Sequence, residues 1–263
     1  MFNMDYLLQS ILIQIDESKQ IPNIFSSKLD ESTSTSKLKS LSIYSSISIW
    51  GDKEEIEEIL SKLLRNIGLI ISEYSGNPKK RCRDVNHWFN EKIKIFSDNK
   101  RSTFSGYATA VFNAVKWPTS NNDIVCLKET EHYPTEHAEI MKKLDDYCEI
   151  RDNIRCNVLI DEAECLKYNK YIMKKKQEFI RAMQDICSND DCSLKVHKIG
   201  NNCTFNNVED TFRLINCEGL YKKEELKKPD DIVKSRSPLE IGFFIIVTFI
   251  LFYLFILFLE KVK

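Results

Sequence analysis

Between Ile241 and Leu259 the chain runs nineteen residues without a charged side chain (IGFFIIVTFILFYLFILFL), and all nine cysteines lie ahead of that run. As a helix rising about 1.5 Å per residue it would extend about 28 Å, close to the roughly 30 Å hydrocarbon core of a bilayer. A buried helix in a soluble protein nearly always keeps a polar stripe, and this run has none. The sequence therefore predicts a transmembrane helix over 241–259, a short tail over 260–263 and a cysteine-rich body before them.

That body is expected to be all-α. Seven glycines and six prolines in 263 residues are too few for the closely spaced tight turns of sandwiches and barrels. Apolar residues recur at three and four from Ile56 through Ile59, Leu60, Leu63, Leu64, Ile67, Ile70 and Ile71 to Tyr74, behind Asp52 and Glu55, and Gly76 and Pro78 end that helix. Similar periods predict helices over 83–96, over 105–116 and from Thr135. The longest soluble helix runs from Asp161, with Glu164 completing a capping box and Cys165, Tyr168, Ile172, Phe179, Met183 and Ile186 facing inward.

A first helix near Asp5 carries Tyr6, Leu7, Leu8, Ile11, Leu12 and Ile15 on one face, and no Lys or Arg precedes it as a secretory signal would require. Ser and Thr dominate 26–50, which reads as a surface loop, and 118–134 reads as another. The body is thus assigned to 1–220 and a charged stalk to 221–240. Trp88, Phe89 and Tyr168 fall on apolar helical faces and belong to the core.

Cys82, Cys126, Cys148, Cys156, Cys165, Cys187, Cys192, Cys203 and Cys217 are candidate disulfide cysteines, and their odd number leaves at least one without a partner in the chain. One sequence does not fix the pairing; Cys187 with Cys192, and Cys148 with Cys156 or Cys165, are close enough along the chain to be candidate pairs. Cys187, Cys192, His197 and Cys203 have a superficial zinc-knuckle spacing but no tight glycine turns between them, so disulfides are the stronger reading and no metal is expected.

The near balance of 38 basic and 39 acidic residues gives no field that would gather nucleic acid. No glycine-rich phosphate loop or G-x-S-x-G elbow occurs, and Pro134 breaks the helix on which His132 and His137 would have to act together. Acidic residues read as helix starts and exposed faces. No catalytic residue and no cofactor is expected.

Orientation is pulled two ways. Lys222, Lys223, Lys227, Lys228, Lys234 and Arg236 precede the apolar run while Lys261 and Lys263 follow it, which by the positive-inside rule puts the body in the cytosol. The cysteines argue for an oxidising compartment and an outward body.

The stretch Cys82-Arg83-Asp84-Val85-Asn86-His87-Trp88-Phe89, then Tyr147-Cys148, Cys156, the block Cys165-Leu166-Lys167-Tyr168-Asn169-Lys170-Tyr171-Ile172, and Lys174 to Phe179 closely resemble the Plasmodium interspersed repeat (PIR) proteins, including the Vir branch. The resemblance runs from Cys82 to the apolar helix. It implies a helical variant surface antigen of a malaria parasite, in the membrane of the infected erythrocyte or of the parasite, acting in immune evasion or host-cell adhesion. The implied partners are the lipid bilayer and a host-cell receptor or antibody. The alternative reading is a tail-anchored intracellular scaffold with a cytosol-facing body. Two features depart from the family: only Glu260 to Lys263 follow the apolar helix, and no R-x-L-x-E export motif is present.

Overall fold

A computed structural model describes residues 15–47, 53–119, 122–129, 133, 137–187 and 198–222. The apolar run over 241–259 and the first helix near Asp5 lie outside the described residues. Among the described residues no helix is long and apolar enough to cross a membrane. The chain divides into two compact units, Met1–Cys217 and Glu218–Lys263, and Glu218–Lys222 is the described part of the second.

The body is mostly helical. After a 3-10 turn at Glu17–Lys19, the described elements are α1 (Ile21–Lys28), α2 (Ser36–Lys39), α3 (Tyr44–Ile47), α4 (Lys53–Ser72), α5 (Pro78–Ile93), α6 (Asp98–Ala114), α7 (Ala138–Arg155) and α8 (Glu162–Cys187). A two-stranded antiparallel ribbon follows, β1 (Lys198–Gly200) and β2 (Cys203–Thr204), then α9 (Val208–Thr211) and α10 (Cys217–Tyr221).

Local chemistry sets the helix ends. The Asp161 carboxylate accepts from the Glu164 backbone N–H at 2.8 Å and opens α8 as the capping pattern predicts. Helix α5 begins five residues earlier than the apolar period suggests. Asn77 caps it by accepting from the Lys80 N–H, and Pro78 sits in its first turn, where a missing N–H is harmless. Helix α4 ends at Ser72, ahead of Gly76 and Pro78, so the proline starts α5 and does not stop α4.

The described part of the Ser-rich segment, 26–47, differs from a plain surface loop. Phe25, Leu38 and Ile47 are fully buried, and Leu41, Ile43 and Tyr44 pack beside them against α4. Serines between these residues face outward and mask the apolar ones in any composition window. Polar groups of α4 also tie the segment down: Asn66 donates to the Leu29 carbonyl at 3.0 Å, Arg65 donates to the Lys28 and Glu31 carbonyls, and Tyr44 donates to Glu57 at 2.7 Å. The Asn66 and Arg65 bonds satisfy main-chain carbonyls that α1 and the turn after it leave open.

One apolar core gathers α1 to α6, with Phe89 edge-on to Phe104 and Phe112. A second group is aromatic: Tyr147 of α7 stacks on Phe212 at 4.8 Å, and Tyr171 and Phe179 of α8 complete it with Phe205. Tyr168 and Trp88 are buried, and Trp88 donates to Asp30 at 3.0 Å.

Candidate functional site

The most concentrated chemistry in the body lies where α5 meets α7. Lys80, Arg81 and Asp84 occupy one face of α5 at helical spacing, and Lys142, Asp145, Asp146 and Glu149 occupy the facing stripe of α7. Lys80 pairs with Asp84 and reaches Asp146 at 2.7 Å, and Lys142 reaches Asp84 at 3.2 Å and Asp146 at 2.6 Å. Arg81 lies 3.2 Å from Asp84 and pairs with Glu149. Arg83 grips Asp145 with two bonds of 2.7 and 2.8 Å, and Tyr133 donates to the same carboxylate.

Lys80, Arg81, Arg83 and Lys142 thus stand against Asp84, Asp145, Asp146 and Glu149, four cations to four carboxylates. Burial works against ionisation of Asp84, yet Lys80, Lys142 and Arg81 hold its carboxyl below the usual range. Burial likewise disfavours the Lys80 ammonium, and Asp84, Asp146 and Asp145 more than offset it, raising its pKa above the ordinary 10.5. The guanidinium of Arg81 also lies 5.0 Å over the Phe25 ring, which couples α1 to this seam. The network joins the facing stripes of α5 and α7 through paired charges of opposite sign. Sequence reasoning assigned acidic residues to exposed faces, and Asp84 and Asp145 overturn that. The signal available was the matched spacing of 80, 81 and 84 with 142, 145, 146 and 149.

Six cysteines form three bridges: Cys82–Cys126, Cys148–Cys203 and Cys165–Cys217, spanning 44, 55 and 52 residues. The short-range candidate that joined Cys148 to Cys156 or Cys165 is corrected here, and the Cys187–Cys192 candidate lies outside the described residues. Cys148 and Cys165 face the returning segment over 203–217, while Cys156, at the end of α7, is exposed and unbridged. Cys192 lies outside the described residues, as does the side chain of Cys187. With Cys203 in a disulfide, the zinc-knuckle alternative loses a thiolate. Around the first bridge, the Asn86 side chain donates to the Leu127 carbonyl at 2.9 Å and accepts from the Glu129 N–H at 2.8 Å, pinning the segment after α6 to α5.

One His/carboxylate group among the described residues brings ligand-type atoms within 4.8 Å of one another: His87, Glu91 and Glu139. Burial pushes the His87 pKa down, with Glu139 opposing from 3.6 Å. Glu91 is already engaged by Lys94, and the Glu139 side chain is largely exposed.

Neither a curated protein nor a solved structure matches the chain. The family model described as Plasmodium vivax Vir protein matches residues 23–241, which takes in both apolar groups, the ionic seam and all three bridges. A match over that share of 263 residues identifies the family, and this chain belongs to the Plasmodium Vir protein family.

Proposed function

We propose that the chain is a variant surface antigen whose helical body faces an oxidising exterior and is held to a membrane by 241–259. It acts by adhesion to host cells or by evasion of antibodies, without catalysis. The observation that carries this reading is the set of three long-range bridges. Each closes a loop of 44 to 55 residues, and thiols of a reducing cytosol are seldom held that way. Family membership supports the antigen role. Val125, Cys126 and Tyr133 of the 118–134 connection are buried, so sequence differences between relatives are expected to gather at its exposed positions, such as Asp123 and Leu127, which can change without disturbing the core.

Six basic residues ahead of the apolar run favour a second reading, a tail-anchored scaffold with its body in the cytosol. A membrane-impermeant maleimide applied to intact infected cells separates the two. An outward body is labelled at Cys156 before permeabilisation and gains labelling on mild reduction. Labelling that appears only after permeabilisation, and needs no reductant, defeats the antigen reading.

A further inference from the structure

A cleft of about 740 Å³ opens where the end of α7 and the start of α8 meet the ribbon turn and the segment after α9. Its frame is stiff. Cys148–Cys203 and Cys165–Cys217 clamp it from two sides, Arg151 donates to the Asn202 and Thr211 carbonyls at 2.6 and 2.8 Å, and the Asn169 amide holds the Ile215 backbone through two bonds.

Two cations line this cleft without an assigned task. Arg155 and Arg213 are exposed, and their side chains form no ion pair among the described residues. The acidic groups nearby are differently placed: Asp152 is taken by Arg151 at 2.8 Å, and Asp210 accepts from the Asn207 side chain and backs its own helix start. With three arginines against two aspartates the lining carries a net charge of +1.

Tyr168 supplies a second, independent observation. It is only 4 % exposed, lines the cleft, and its hydroxyl bonds to no described residue. Its ring is buried but its oxygen is not among the fully buried unpartnered atoms, so the hydroxyl opens to the cleft, where an outside group can reach it. Leu214 adds an apolar wall beside Arg213.

We infer that this cleft binds a small anionic sugar, with Arg155 and Arg213 holding its carboxylate or sulfate, Tyr168 and Asn202 bonding its hydroxyls, and Leu214 covering the apolar face of its ring. Guanidinium forks suit both planar carboxylates and sulfate esters, and the volume fits one or two sugar rings. The inference rests on the outward-facing reading for its biological meaning, since charged sugars of this kind coat host cells.

The test uses the full chain, disulfides intact, in detergent micelles, titrated with 3′-sialyllactose, lactose 3′-sulfate, unmodified lactose and inorganic sulfate. At least one anionic lactose should bind, more weakly as salt rises. The double substitution Arg155→Ala/Arg213→Ala should weaken it at least about tenfold, the usual size of losing a charge-assisted bond. Tyr168→Phe should cost a smaller factor, about threefold, with an unchanged circular dichroism spectrum. Absence of binding by both anionic lactoses, equal binding of unmodified lactose or of inorganic sulfate, or indifference to the double substitution would each overturn the inference. Because the titration does not depend on which way the body faces, its failure is separable from failure of the labelling experiment.

Discussion

Removing the Asp84 carboxylate leaves Lys80, Arg81 and Lys142 facing one another in a buried seam with one fewer negative charge. Asp84→Asn is therefore expected to destabilise the purified protein by about 3 to 5 kcal/mol, read from urea unfolding. The charge-balanced pair Lys80→Met/Asp84→Leu should cost less than the sum of its two single substitutions, because the partner that each single change strands is also removed. The His87 imidazole predicts a pH effect of defined sign. Its folded pKa lies below 6.5, so as pH falls through 6.5 the unfolded chain takes up a proton that the folded chain refuses. Stability should drop over that range, and His87→Gln should flatten the drop in thermal melts taken from pH 7.5 to 5.5. The depressed Asp84 pKa acts in the same direction at lower pH, where its stabilisation is lost as pH falls through its folded value.

At the scale of elements, the former Ser-rich loop offers the sharpest test. Leu38 is fully buried although its helix has only four residues, so Leu38→Ala should cost about 2 to 5 kcal/mol, the range for a truncated core leucine. A true surface loop would lose almost nothing. Helices α4 and α8 were legible because a long run of apolar residues at period 3.6 leaves no other face to bury. The segment over 26–50 was not legible, because its buried residues come singly and depend on α4 to receive them. The seam between α5 and α7 hid for a related reason: a charged residue reads as a surface residue until its partner on another helix is known. Bridge partners were hidden too, since the segment over 198–217 returns to α7 and α8 only through tertiary folding. The arginine cleft left no local pattern, its residues being drawn from four separate segments.

Across the whole molecule two of the three bridges hold the C-terminal part of the body to its helices, and the third holds the segment after α6 to α5. In the chain-entropy account a loop of this length contributes about 4 kcal/mol, so Cys165→Ser/Cys217→Ser should lower the melting temperature by many degrees. Native maleimide labelling followed by peptide mapping should find Cys156 modified and the six bridged cysteines untouched. The ribbon and the turn beyond it hang on α7 and α8 through Cys148–Cys203 and Cys165–Cys217. An antibody footprint that spans the ribbon and the helices beneath it joins stretches some fifty residues apart, and synthetic peptides copied from 198–217 should compete poorly for serum raised against the intact, oxidised protein.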